Sequence, residues 1–151
     1  VKNEITYVTG DERVLDDIKE LWEELNRVHL EKSRHFKQRY MDFTYQKRKE
    51  FFMSKAENGK LLVVIACHDG RRIGYCVSSV ADTVGEIESI YIKPEYRGNH
   101  VGKTLMETSL NWIKASDVRT IHLTVAAGNE DVFEFYSKFG FAPIRTELQQ
   151  V

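Results

Sequence analysis

Residues 90–104 read IYIKPEYRGNHVGKT: an apolar run, a proline, then a short loop carrying Gly98 and Gly102 among the cations Arg97 and Lys103. An apolar run halted by Pro94 marks a strand end, and the residues beyond Gly98 open a helix. The first turn of a helix leaves several backbone N–H groups without partners. With the helix dipole, they favour a bound anion, typically phosphate. Glycines at 98 and 102 let a ligand approach the backbone, and Arg97 and Lys103 add positive charge beside it. The spacing is neither GxxxxGK(S/T) nor GxGxxG, so the mononucleotide and dinucleotide fingerprints fail. What remains is a phosphate-binding loop spanning Arg97, Gly98, Asn99, His100, Val101, Gly102, Lys103 and Thr104.

Other groups able to do chemistry are fewer. Glu86 and Glu88 are two residues apart on one strand-like run and share a face. Cys67 and Cys76 form no CxxC or zinc spacing and fall in apolar runs, which reads as small buried thiols in a reducing cytosol. His29 and His35 are too far apart for a one-face helical metal pair and lack an acid or cysteine at ligand spacing, so no metal is expected. Residues 32–49 hold seven cations (Lys32, Arg34, Lys37, Arg39, Lys47, Arg48, Lys49) and one acid, Asp42. That excess either attracts an acidic acceptor or a phosphate or is a solvated helix face.

The elements that position these groups follow from periodicity. Residues 4–8 alternate as an edge strand. Asp11 is an N-cap for a helix whose Val14, Leu15, Ile18, Leu21, Trp22, Leu25 and Val28 form one apolar face. A second helical segment spans about 41–57 and ends at Asn58-Gly59. Residues 61–67 and 73–80 make a hairpin turned by His68-Asp69-Gly70, and 86–92 is the next strand. A helix over 100–116 leads to a strand over 120–126, which lies parallel to 86–92 through a right-handed crossover. A short helix over 130–139, with Asn129 as a good N-cap, and a last strand over 141–148 complete the order. The fold class is α/β (α+β), a mixed sheet with helices on both faces.

The 151 residues fit one domain over 1–151, large enough for a core without disulfides or metals. With 22 Lys and Arg against 23 Asp and Glu, net charge -1, the chain lacks the basic excess of a nucleic-acid binder. No apolar run approaches a membrane span and no signal segment opens the chain, so a cytoplasmic location without membrane contact is expected.

The run I90-Y-I-K-P-E-Y-R-G-N-H-V-G102 resembles the acyl-CoA loop of the GNAT acetyltransferase superfamily, which has the form Arg/Gln-x-x-Gly-x-Gly/Ala after a strand. A second block, N129-E-D-V-F-E-F-Y136-S-K-F-G140-F141, resembles that family's Asn-x-x-Ala-x-x-Phe-Tyr-x-x-x-Gly-Phe segment. The resemblance covers roughly residues 60–148. It implies a GNAT-type, mostly antiparallel sheet with a parallel, splayed strand pair around the acyl-CoA site. One departure stands in the loop, where the family's first glycine falls at His100. If that position needs positive φ, histidine is strained there. Otherwise it sits in ordinary helical geometry. The expectation is that His100 is tolerated, with its imidazole near the pyrophosphate.

The resemblance implies transfer of an acetyl group from acetyl-CoA to a primary amine by direct attack, without an acyl-enzyme. Ile90, Tyr91 and Ile92 would line the pantetheine arm, and a backbone N–H near Ile92 would polarise the thioester carbonyl. Glu86 or Glu88 would take the proton of the acceptor, Glu86 at the family's distance ahead of Arg97. The other reading of each is a solvated carboxylate at a strand start. Tyr136 would protonate the leaving thiolate; the other reading is a core aromatic among Phe133, Phe135 and Phe139. Asn129 would hold the arm or the helix start. Phe36, Tyr40, Phe43, Tyr45, Phe51 and Phe52 would wall the acceptor site or serve the core. The acceptor would be a small molecule or a peptide amine, and a homodimer fits the family's habit. Two other readings are a non-catalytic acyl-CoA-binding sensor and a nucleotide-binding regulatory domain.

Overall fold

The computed structural model describes residues 4–151. They build, in order, β1 (Thr6–Gly10), a 3-10 helix (Glu12–Ile18), α1 (Lys19–Lys32), α2 (Lys37–Asp42), α3 (Tyr45–Glu57), β2 (Lys60–His68), β3 (Arg71–Ala81), β4 (Val84–Ile92), α4 (Val101–Lys114), β5 (Thr120–Leu123) and α5 (Phe133–Ser137). Two 3-10 turns, Pro94–Tyr96 and Glu130–Val132, precede α4 and α5. The sheet runs β1-β2-β3-β4-β5, antiparallel from β1 to β4 and parallel between β4 and β5. This is the mixed, mostly antiparallel sheet expected from the sequence.

Alternation along the strands sorts their side chains onto two faces. One core packs Leu15, Ile18, Trp22, Phe52, Val63 and Tyr75 between the sheet and α1 and α3. The other packs Val64, Ile73, Ile87, Leu105, Met106 and Ile113 between the sheet and α4. On α4 the buried Val101, Leu105, Ser109 and Ile113 recur every four residues, one stripe of a helix. Each fully buried aliphatic side chain contributes about 1.5–3 kcal/mol.

Two irregularities in β4 shape the site. The β3–β4 register slips between Val77 and Ser78, and Glu88 is left without a partner residue. This bulge turns the alternation over. Glu86 and Glu88 face α3, and so do Ser89 and Tyr91 beyond the bulge, while Ile87, Ile90 and Ile92 join the α4 side. In addition, β4 and β5 pair only from Val84↔Thr120 to Ile87↔Leu123. From Glu88 to Ile92, β4 continues without β5, which opens a gap between the two parallel strands.

Several expected boundaries move. The helix capped by Asp11, whose side chain does accept from Arg13 N–H at 2.9 Å, opens as a 3-10 stretch before α1 begins. The expected helix over 41–57 is two helices. Phe43 is extended, Thr44 caps α3 through Lys47 N–H, and Asn26 Nδ2 takes the freed carbonyls of Tyr40 and Phe43. The strand expected over 120–126 stops at Leu123, and the helix over 130–139 shrinks to a 3-10 turn plus α5. Residues 141–148 form no strand. They pair with no neighbour, Pro143 has no N–H to give a ladder, and Ile144 and Leu148 are exposed.

Candidate functional site

The loop after β4 delivers α4 with its first turn free. The first intrahelical bond runs from Thr104 N–H to His100 O at 3.0 Å, so Val101, Gly102 and Lys103 N–H have no intrahelical partner. Gly98 and His100 both take positive φ, 85° and 62°. His100 is therefore left-handed and not in ordinary helical geometry, and its side chain makes no cap bond. Arg97 is extended over the Tyr91 ring at 5.6 Å, and its Nε donates to Ile92 O at 3.0 Å. An extended residue sends its N–H and C=O to the same side. Lys93 N–H bonds Ile73 O across the sheet. The Ile92 N–H thus points with its carbonyl into the gap beside β4.

Here the end of β4 and the head of α4, neighbours in the chain, meet the distant α5 block. A Cβ on Gly102 would stand 3.1 Å from the Phe135 ring and 3.5 Å from Ile92 Cδ1, so a glycine lets α5 and the end of β4 close tightly on the head of α4, where a larger side chain would press the Phe135 ring away. Tyr136 packs with Ile90, Ile92, Phe135 and Phe141 on this face, near Cys76. Burial, with a small addition from Cys76, pushes its phenol above the ordinary tyrosine value. Cys76 itself is fully buried and its thiol is pushed up to about 11, so it is no thiolate at neutral pH.

On the opposite face the two carboxylates do not stand free. Lys55 Nζ lies 3.2 Å from Glu86 Oε1 and 3.2 Å from Glu88 Oε2. Ser79 Oγ also donates to Glu88 Oε2 at 2.7 Å. The Glu88 side chain is only 2% exposed, against 27% for Glu86. Arg48 donates to Glu88 O at 2.6 Å and lies over the Phe52 ring at 4.5 Å.

The profile of the acetyltransferase (GNAT) family matches residues 16–141. The chain belongs to the GNAT acetyltransferase family. It is 33% identical over 93 residues to the putative ribosomal protein bS18-alanine N-acetyltransferase of Bacillus subtilis, a match covering 62% of each chain. It is 31% identical over 84 residues to the spermidine N(1)-acetyltransferase of Thermoplasma acidophilum, covering 56% of this chain and 52% of that protein. The chain thus spans about three fifths or less of the length of these relatives. In structure it superposes on the PaiA N-acetyltransferase of Thermoplasma acidophilum, solved with coenzyme A, with a TM-score of 0.74 at 22% identity over 95% of this chain and 93% of that one. Among the described residues no helix is long and apolar enough to cross a membrane.

Within this GNAT fold Ile90, Ile92, Gly102 and Tyr136 come together on the α4 side, whereas Glu86 and Glu88 have partners on the other side that the sequence did not announce. Lys32 and Arg48 were visible only as members of a basic run, and Lys55 stood outside it. Five of that run's seven cations are engaged internally: Lys32 with Asn129, Lys37 with Leu30 O and Glu31 O, Lys47 with Asp42 O, Arg48 with Glu88 O, and Lys49 with Asp16. Asn129, expected as a side-chain cap, makes no cap bond and instead accepts from Lys32 Nζ at 2.9 Å. The Glu86–Glu88 spacing with one lysine a helix away was the available signal for the ion pair, but only the α3–β4 packing shows it.

Proposed function

We propose that the protein transfers an acetyl group from acetyl-CoA to a primary amine by direct attack in a ternary complex. The observation that carries this reading is the meeting at Gly102 of the free α4 head, the open edge of β4 and the Phe135–Tyr136 block. These residues suit coenzyme A. The pyrophosphate would lie on the Val101, Gly102 and Lys103 N–H groups, with Arg97, Gly98, Asn99, His100 and Thr104 around it. Ile90, Tyr91 and Ile92 would flank the pantetheine arm in the gap. The Ile92 N–H would polarise the thioester carbonyl, an effect worth about 3 kcal/mol for one donor.

Tyr136 would give the leaving thiolate its proton. Its raised pKa keeps the phenol protonated at neutral pH, the state an acid must start from. The same shift makes donation to a thiolate of ordinary pKa ~8.5 uphill. Glu86, the more exposed of the two carboxylates bridged by Lys55, would be the one to meet an ammonium. Either could act as a base only once Lys55 lets go. Asn129 serves by tying the segment after β5 to α1. Two unpaired cysteines suit a cytosolic setting.

The test is thiol release from acetyl-CoA in the presence of a panel of primary amines that includes spermidine and an alanine-ended peptide. Release that depends on one amine is the expected result. Tyr136→Phe should then lower turnover about 100-fold while coenzyme A affinity stays within twofold. Coenzyme A binding with no turnover on any amine would sink the enzyme reading and leave a sensor of acyl-CoA. The Lys55 clamp on both carboxylates is the observation that favours that second reading.

A further inference from the structure

Helix α1 crosses the gap between β4 and the segment after β5. At one end Glu24 accepts from Lys93 Nζ at 2.8 Å and from Tyr91 OH at 3.2 Å, both at the end of β4. At the other end Lys32 Nζ bonds Asn129 Oδ1 at 2.9 Å and Asp131 at 3.3 Å, beyond β5. The Lys32 carbonyl also abuts Gly128 and leaves no room for a Cβ there. Eight residues of helix rise about 12 Å, so the stretch between these anchors lies over the parting of the strands.

His29 is in that stretch. Its Nδ1 is enclosed and has no hydrogen-bond partner. Its Nε2 makes no hydrogen bond among the described residues and is the ring nitrogen left open. The Tyr40 ring of α2 lies 5.7 Å away, tilted 37°. The charges acting on the ring are Lys32 on its own helix and Arg48 on α3; Asp131, from the segment after β5, is paired with Lys32. Burial first, then these two cations, lower the imidazole's pKa below its ordinary value, so the ring is neutral at physiological pH. The strand carboxylates, by contrast, are held by Lys55.

We propose that His29 takes the proton from the incoming ammonium at Nε2, a further catalytic residue placed by α1 over the strand gap. The inference rests on the acetyl-transfer reading above. The ammonium gives one proton to Nε2 and becomes an amine with a free electron pair. That pair forms the C–N bond to the acetyl carbon while the C–S bond breaks and its electrons leave on sulfur. Tyr136 protonates the thiolate, and the second amine proton returns to the Tyr136 oxygen. His29 then releases its proton to water, so one proton is set free for each amide formed.

The experiment uses spermidine and an alanine-ended peptide as acceptors, whichever of them wild-type protein acetylates. His29→Gln should lower kcat 100-fold or more with acetyl-CoA affinity unchanged. The acid limb of the wild-type kcat/KM profile, lying below the ordinary imidazole value, should vanish with it. The variant's remaining rate should climb with pH as free amine accumulates. Wild-type kcat and an intact acid limb in His29→Gln would overturn the proposal while acetyl transfer itself stands. So would an NMR titration of the coenzyme A-bound protein in which His29 protonates at or above its ordinary value. Absence of turnover by wild-type protein on every amine would instead overturn the enzyme reading, and His29's role with it.

Discussion

The two faces of the sheet are built on different principles. On the α4 face, the groups offered to a ligand are mostly backbone: the Val101, Gly102 and Lys103 N–H groups and the inward edge of β4. The side chains behind them are apolar and interlocked, Ile90, Ile92, Phe135 and Phe139 among them. On the α1–α3 face, polar side chains bind one another across long stretches of chain: Lys55 with Glu86 and Glu88, Arg48 with Glu88 O, Glu24 with Lys93, Lys32 with Asn129. Backbone sites survive most side-chain changes as long as the local conformation holds. A side-chain network fails when one member is removed, because the partner keeps its charge.

The largest expected effect tests that asymmetry on stability. Lys55→Met should strip the ammonium from Glu88, whose carboxylate is almost wholly buried and would keep Ser79 as its hydrogen-bond partner and Arg48 as its nearby cation. Removing one partner of a buried ion pair typically costs about 3 kcal/mol. Lys103→Met on the other face removes an exposed cation with no ion pair among the described residues, and such changes stay within about 0.5 kcal/mol. Urea unfolding of the two variants at pH 7 makes the comparison. Equal midpoints would mean that the Lys55 bridge does not hold the carboxylates in solution.

The same asymmetry decided what the sequence could tell. The loop from Arg97 to Gly102 is read in a contiguous stretch, because strand end, glycines and helix start are local in chain. Tyr136 was legible through its own block, since Asn129 and Gly140 frame it at fixed spacing. The cap expected of Asn129 does not form: a helix cap is the local use of an asparagine, whereas its bond to Lys32 spans 97 residues. Glu86 and Glu88 were legible as a pair on one face, but not their lysine, which sits 31 residues from Glu86 on a helix whose packing periodicity does not reveal. The strand expected over 141–148 shows the converse limit. An apolar pattern can suggest a strand, but pairing needs a neighbour, and these residues pair with none.

The effect of pH should be smaller because it rests on single groups, and it sets His29 of the α1–α3 face apart from the buried thiol and phenols. On the α1–α3 face His29 titrates below its ordinary value. The unfolded chain then takes up a proton that the folded ring resists. Stability is therefore full above about pH 6.5, the ordinary imidazole value, and falls as pH drops below it toward the depressed folded value. Cys76 and Tyr136 on the α4 face are pushed the other way, as are the buried Tyr45 and Tyr75 on the α1–α3 face. Their contribution is full below the ordinary thiol and phenol values and is lost as pH rises past them, where the unfolded chain ionises first. Urea midpoints at pH 7 and pH 5 for wild type and His29→Gln separate these. A decline of the same size in both proteins would show that His29 is not the group responsible.

The smallest effect concerns His100, where the backbone site itself carries strain. Its φ of 62° is left-handed, a conformation that costs a residue with a Cβ about 1 kcal/mol. Glycine at 100 removes that strain but loses more chain entropy on folding, so His100→Gly should stabilise by only about 0.5 kcal/mol. The sharper reading comes from ligand binding. If the α4 head binds pyrophosphate through backbone N–H groups alone, His100→Gly leaves coenzyme A affinity equal or slightly better, measured by calorimetry at fixed salt. If affinity falls tenfold or more, the imidazole lies on the phosphate. The α4 face would then depend on a side chain as the α1–α3 face does, and the division between the two faces would have to be redrawn at this one residue.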